Sequence, residues 1–481
     1  MNRPGIAALL SALLPGLGQA WLGARRRGLL VALPLLGLAA AVAIIALANI
    51  RLLIDGLVEP QVLAAILLGL LVLAVYHLLA IRDAFRIGVR IGGPDARGRT
   101  PILLLALALV VGLYGTIEAV GLQAYDATST IFVKPGTGYT IPSASFAPTA
   151  APTLAPGLTP SPIPAPTATP IPVPPWAADG RLNLLLIGSD AGPGRWLART
   201  DTMIVLSVDV ATGQAAMFGI PRNIVNVPLA PEDQAAFPNG RFPQFLNALY
   251  VYAIGHPNEF PGGDARGFRA VSGAVQELVG VPLDGAIVVN LNGFVDLVNA
   301  VGGLWINIPT SLYDSHYPKP DGSGDIAISF SPGCQKLNGD RALEYARSRH
   351  SSDDYSRMRR QQSVLVALDR ELDPIAMLPR VPDLLAIAKD NLWTTIQPNE
   401  IADLAVLAAH VESHQIMTIE LSPPKYPEFL DTKEIKAIQT RVQTIFDTPA
   451  TPAGSGDPGA TSAPTPAPTP DVTPKPCPRT T

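Results

Sequence analysis

The chain has 481 residues, 35 Lys and Arg against 39 Asp and Glu for a formal charge of −4, and 48% hydrophobic residues. That length leaves room for two or three domains, and a near-neutral balance without a long charged tail singles out no polyelectrolyte partner. Its two cysteines, Cys334 and Cys477, stand in no CxxC or Cys/His pattern, which argues against a structural zinc site.

Residues 1–125 are mostly apolar and read as a membrane region. The stretches 28–50, 61–81 and 101–122 are each long enough to cross about 30 Å of hydrocarbon as a helix. Arg25, Arg26 and Arg27 precede the first, and Arg82, Arg86, Arg90, Arg97 and Arg99 separate the second from the third, whereas the intervening loop has only Arg51. Arginine-rich short loops stay in the cytoplasm, so everything after residue 122 is expected outside the cell membrane, on a multi-pass anchor. The segment 5–23, with one proline and internal glycines, reads equally as a re-entrant element or a fourth span. The spans after it argue against a cleaved signal peptide.

A linker follows at 126–176, in which 135–175 holds thirteen prolines and no charged side chain. Such a sequence buries no core and is expected as an extended spacer. The stretch 447–481, with ten more prolines, reads as a disordered tail. Cys477 in that tail either pairs with Cys334, as an oxidising exterior permits, or stays a separate thiol.

Between them, 177–446 shows alternating strand and helix signals. RLNLLLIGS (181–189) is a short apolar run ending in Gly-Ser, as a buried strand does; 202–210 and 214–221 form a hairpin about Ala211–Gly213. Helical spacing marks 266–279, 293–301, 337–347 with Asn338 as its cap, 354–372 and 398–413; 285–291, 304–309 and 415–421 read as strands. The sum is an α/β fold, an extracytoplasmic α/β/α sandwich around a mixed central sheet.

Chemistry concentrates in YARSRHSSDDYSRMRRQQ (345–362), which holds five arginines, two aspartates and no lysine. Like charges about 4 Å apart repel by roughly 4 kcal/mol at an effective dielectric near 20, so carboxylates or an anion must offset this block. Arginine's planar fork suits phosphate and carboxylate oxygens. Asp354 sits where a helix starts, and Arg357, Arg360 and Gln361 share a face of that helix. Arg347 and Arg349 flank the preceding helix end. A second cluster, GSDAGPGRWLARTD, puts Asp190 just past one strand and Arg199 and Asp201 just before the next; Arg222 follows in GIPRN. Strand ends of open α/β sheets are where ligands bind. Carboxylates from two regions beside several arginines suit a hard metal ion with phosphate oxygens, magnesium first, with manganese as its substitute. His256, His316 and His350 have no partner pattern and read as surface or loop residues. No Walker-type GxxxxGK is present, so nucleotide hydrolysis has no support.

The order GSD…RTD…IPR…LNGFVDLVNAVGG…LNGDRALEYARSRHSSDDYSRMRRQQ resembles the LytR–CpsA–Psr family of cell-wall glycopolymer ligases over about residues 181 to 421. The resemblance implies an Mg-dependent phosphotransferase. It moves a glycopolymer from a polyprenyl-pyrophosphate carrier to a hydroxyl of peptidoglycan or another wall acceptor, forming a phosphodiester. It assigns magnesium to Asp190, Asp201 and Asp354, and the pyrophosphate to Arg199, Arg222, Arg347, Arg349, Arg357 and Gln361. Asp201, Arg199 and Arg349 become the catalytic candidates, and an apolar cavity within the sandwich takes the polyprenyl chain. Asn223 stands where the family commonly has an acidic residue, and Phe245 where it has lysine, which bears on the donor head group. Asp353 beside Asp354 leaves the third metal ligand open by one residue, the three-residue step to Arg357 favouring Asp354. Two other readings use the same residues: a lipid-pyrophosphate phosphatase, and a non-catalytic binder of anionic wall polymers. An exterior domain meets no DNA in the cytoplasm, so no nucleic-acid partner is expected.

Overall fold

The computed structural model describes residues 3–48, 56–92, 100–131, 180–189, 199–319, 323–349, 354–372, 377, 380–411, 416–447 and 477. Residues 132–176 of the proline-rich linker, and the tail apart from Asp447 and Cys477, lie outside the described residues.

The membrane region consists of α1 (Arg3–Leu13), α2 (Leu17–Trp21), α3 (Arg25–Ala48), α4 (Pro60–Gly92) and α5 (Thr100–Ile131). Three of these, α3, α4 and α5, are long and apolar enough to cross a membrane. The apolar segment 5–23 folds as two short helices, α1 and α2. Gly16, at φ 97°, breaks the segment between α1 and α2, and eleven residues of α1 reach only about 16 Å. A polar network ties the pair down. Ser11 Oγ donates to Gln19 Oε1 at 3.0 Å, Gln19 Nε2 donates to the Ala80 carbonyl at 2.9 Å, and a His77 ring nitrogen lies 3.0 Å from the Ser11 carbonyl. Arginines gather at one side of the spans, so the chain is a multi-pass membrane protein whose larger domain is extracytoplasmic.

That domain is built on a six-stranded mixed sheet in the order β11-β6-β1-β2-β3-β12. Its strands are β1 (Arg181–Ser189), β2 (Thr200–Asp209), β3 (Ala215–Gly219), β6 (Gly285–Asn290), β11 (Leu392–Thr394) and β12 (Ile416–Glu420). β1 and β2 run antiparallel from Arg181 opposite Asp209 to Ser189 opposite Thr200, and β1 pairs in parallel with β6. The β2–β3 hairpin turns through Gly213, whose φ of 71° favours glycine. Leu185, Ile187, Met203, Val205 and Phe218 fill one face of the sheet with α6 (Leu249–Gly255), α7 (Arg266–Val279) and α13 (Thr432–Gln443).

A second apolar cluster has its own small sheets. It gathers α8 (Leu291–Ala300), β7 (Leu304–Ile308), β8 (Leu312–Pro318), β9 (Asp325–Phe330), β10 (Gly333–Leu337), α9 (Gly339–Arg347) and α10 (Asp354–Glu371). The 304–309 run is a strand, but it pairs with β10 rather than joining the central sheet. α9 starts at Gly339, where a Cβ would sit 2.2 Å from the Val295 carbonyl, so only glycine allows this approach to α8. Asn338 caps it, accepting from the Arg341 amide at 3.0 Å. α10 then crosses to the central sheet, where buried Gln362 donates to the carbonyls of Met217 and Ile419. α11 (Val381–Asn391) and α12 (Ile401–His410) complete the helices. Cys334 on β10 is disulfide-bonded to Cys477, with Cα atoms 5.7 Å apart, which fixes Cys477 beside β10.

Candidate functional site

Three local features converge at the carboxyl end of β1. β1 and β2 shift register at Gly188/Ser189, and a Cβ on Gly188 would meet Thr202 at 2.9 Å, so glycine keeps the two strand ends close. α8 begins directly after β6, placing Leu291 beside them. The end of α9, Arg349 just after it and the first turns of α10 deliver the arginine block. The result is a pocket of about 610 Å³. Six residues predicted from the sequence line it: Asp201, Arg347, Arg349, Asp354, Arg357 and Gln361.

Arg222 lies behind the lining and holds the two carboxylates. Its NH1 donates to Asp201 Oδ1 at 2.7 Å and its Nε to Asp354 Oδ2 at 3.1 Å. Arg357, one helical turn after Asp354, donates through NH2 to the same Asp354 Oδ2 at 2.9 Å and to the Asp201 carbonyl at 3.3 Å. Arg349 Nε stands 3.8 Å from Asp354 Oδ1. Burial alone would raise the Asp201 carboxyl, but the bond and charge of Arg222, helped by Asn247 and Arg357, hold it below the ordinary carboxylate range. Burial likewise opposes the charge on Arg222, and Asp201 and Asp354 outweigh it, so the guanidinium is raised. For Arg357 burial wins and brings it down to about 10, which leaves it charged at neutral pH. Arg357 Nε is buried with no hydrogen-bond partner among the described residues.

The five arginines of the 345–362 block therefore divide. Arg347, Arg349 and Arg357 reach the pocket. Arg360, read on the same helix face as Arg357, is buried and donates to the carbonyls of Tyr345 and Ser348, stitching α10 to the end of α9. Arg359 pairs with Glu420 at 2.8 Å. Arg199 is exposed at the start of β2 and does not line the pocket. Asp190, Asp353 and His350 lie outside the described residues. Asn223 donates to Glu428, which also accepts from Tyr355, and Phe245 is exposed.

Sequence reasoning missed the β8–β9 hairpin, which supplies Asp314, His316, Tyr317 and Asp325 to the pocket. His316, read as a surface residue, is one of its walls. Asp314 is 1% exposed; its Oδ2 accepts from Ser348 Oγ and from the Arg349 amide, both at 2.9 Å, and its Oδ1 from the His316 amide at 3.0 Å. It fixes the backbone that carries Arg349. The available signal was the in–out alternation of LYDSHYP, which turns Leu312 and Asp314 inward together. Asn247, which donates to Asp201 at 3.3 Å, belonged to no motif.

Among the described residues no group of three His, Cys, Asp or Glu side chains forms a metal cluster. The donor chemistry nevertheless fits a hard cation. Asp201 and Asp354 both line the pocket, and Arg222 bonds one oxygen of each, Asp201 Oδ1 and Asp354 Oδ2. Magnesium is commonly held by one or two carboxylates completed by water and phosphate. Most side chains lining the pocket are charged or polar, and Leu291, Tyr317 and Pro318 line it with them.

The family model described as LytR_cpsA_psr matches residues 165–444, more than half of the chain. The Bacillus subtilis protein named polyisoprenyl-teichoic acid–peptidoglycan teichoic acid transferase TagV is 26% identical over 226 residues, covering 47% of this chain and 52% of the relative. The corresponding transferase TagU of Oceanobacillus iheyensis is 28% identical over 243 residues, covering 50% and 66%. The crystal structure of B. subtilis TagV aligns at 24% identity and a TM-score of 0.41, covering 56% of this chain and 98% of that one. The chain spans about half the length of the curated relatives it matches first. It belongs to the LytR–CpsA–Psr family.

Proposed function

We propose that this protein is a membrane-anchored phosphotransferase. It moves a glycopolymer from a polyprenyl-pyrophosphate carrier to a hydroxyl of peptidoglycan or another cell-wall acceptor, forming a phosphodiester. The observation that carries this reading is the Asp201–Arg222–Asp354–Arg357 network, at 2.7 to 3.1 Å, beside Arg347 and Arg349 in one pocket. Family membership and the transferase names of two relatives support the reaction class.

In the reaction the acceptor hydroxyl oxygen attacks the phosphorus attached to the glycopolymer, and the hydroxyl proton passes, directly or through water, to the departing phosphate. The bond from that phosphorus to the bridging oxygen breaks, and polyprenyl monophosphate leaves with the electron pair. Negative charge grows on the bridging oxygen and the transferred phosphoryl group, and preorganised cations stabilise it better than reorienting water does. Arg349 and Arg347 are the groups proposed to meet the diphosphate, with Gln361 donating an amide bond; Arg199, exposed just before β2, is the remaining cation of the proposed set. Arg222 and Arg357 hold the carboxylates in place behind them. Magnesium, or manganese, would be held by Asp201 and Asp354, with Asp190 as the third carboxylate, and would supply Lewis-acid stabilisation of the phosphoryl oxygens. A carboxyl held below its ordinary range is a weak base at neutral pH, so Asp201 suits charge positioning better than proton abstraction.

The test combines the full chain, a lipid-diphosphate-linked glycan, peptidoglycan fragments and magnesium. Linked glycan and polyprenyl monophosphate are expected together. Arg349→Ala and Asp201→Ala should each lower the rate by about 100-fold or more, the scale at which single transition-state donors act. Full activity in either variant rejects the assignment, and free phosphorylated glycan without linked product makes the protein a phosphatase.

A further inference from the structure

We propose that the cytoplasmic end of the membrane region binds the phosphate head groups of anionic phospholipids, through an arginine stripe on α4. Arg82, Arg86 and Arg90 are four residues apart and all exposed. The opposite face, with Ile81, Ala84 and Gly88, is buried. A Cβ on Gly88 would lie 2.7 Å from Pro4 Cα, so α1 occupies that face and the arginines are turned away from it. Like charges at this spacing repel along a helix, and something must offset them.

The described carboxylates do not. Asp83 is the only acidic residue described in 3–48 and 76–92, and it is committed to Arg27, whose Nε and NH2 donate to it at 3.0 and 2.6 Å. Arg25 and Arg26 add two more exposed cations to the same side of the spans. The other side carries Glu59, Glu118 and Asp126 and no described arginine or lysine. Orienting the chain needs only a count of arginines in a loop. It does not require three of them in register on one helix face.

Two features select a lipid over a soluble anion. With 33 residues α4 is about 50 Å long against about 30 Å of hydrocarbon, so its end overhangs into the head-group layer. The stripe also continues, on the same face, into exposed apolar Val75 and Leu79, 52% and 55% exposed. One helix face thus offers contact to acyl chains and then to phosphates, and guanidinium forks match phosphate oxygens bidentately.

The experiment uses the full chain in zwitterionic detergent, offered equimolar phosphatidylglycerol and phosphatidylcholine, with retained lipid counted by native mass spectrometry. Phosphatidylglycerol should be retained at least about fivefold over phosphatidylcholine, and the R82Q/R86Q/R90Q variant should bring the ratio near one. Equal retention by the unaltered protein, or an unchanged preference in the variant, overturns the proposal. Millimolar inorganic phosphate should leave the lipid bound; its displacement would reassign the stripe to soluble anions. If the triple variant fails to fold, R86Q alone should roughly halve the preference, and no change overturns the proposal equally.

Discussion

In the outer pocket Arg222 and Arg357 have side chains 13% and 4% exposed and sit among Asp201 and Asp354. On α4, Arg82, Arg86 and Arg90 are exposed and have no described carboxylate partner. The residue type is the same and the physical situation opposite. A buried guanidinium must be paired in the fold, because an unpaired buried charge costs several kcal/mol; its geometry is therefore set before any ligand arrives. An exposed guanidinium at a membrane surface keeps its freedom and finds its anion in the environment. The first arrangement suits precise charge stabilisation, the second suits anchoring to a fluid partner.

The sharpest way to break this contrast is Arg222→Ala. It leaves two carboxylates facing each other and should destabilise the extracytoplasmic domain by about 3–5 kcal/mol, read from the midpoint of its thermal transition in the full chain. Adding D201N and D354N should recover part of that loss, and no recovery would mean that Arg222 acts by packing alone. Next, Asp314→Ala strands Ser348 Oγ and the amides of Arg349 and His316; a loss of about 2 kcal/mol is expected. Substrate affinity should also weaken through the displaced Arg349. Arg359→Gln, which removes the half-exposed pair with Glu420 and a hydrogen bond to Ser356 Oγ, should change stability by less than about 1 kcal/mol.

The pH prediction is smaller still and follows from Asp201. Its folded pKa lies below the unfolded one, so the native state binds fewer protons in the window between them. The stabilisation from this group is complete above the unfolded value of about 3.9 and is lost as pH falls below it through the folded value. D201N should flatten that part of the acid limb in unfolding experiments, and an unchanged acid limb would remove Asp201 from this role.

Much of this was legible before folding. The β1, β2 and β3 runs, the Asn338 cap and the start of α10 at Asp354 follow from apolar periodicity and capping chemistry, which act over a few residues. Six pocket residues came from the blocks that carry the family resemblance. The hairpin 312–330 did not, because its strands are short and mostly exposed and contribute few apolar positions to read. Spacing put Arg360 on one helix face with Arg357, but a shared face says which residues neighbour one another, not which of them a carbonyl pair in the preceding element will claim.

By itself the sequence determined where the chain enters the membrane, which side its larger domain occupies, and which residue types offer forked donors to an anion. Those properties depend on hydrophobic length, on arginine counts in short loops and on the guanidinium fork, all local quantities. Only the tertiary structure decided that Arg222 bridges Asp201 and Asp354, that Asp314 holds the Arg349 backbone, and that Cys334 joins Cys477. Each of these joins residues between 21 and 143 positions apart. Contacts at that range are selected by the packing of whole elements, and no short window of sequence contains the competition that settles them.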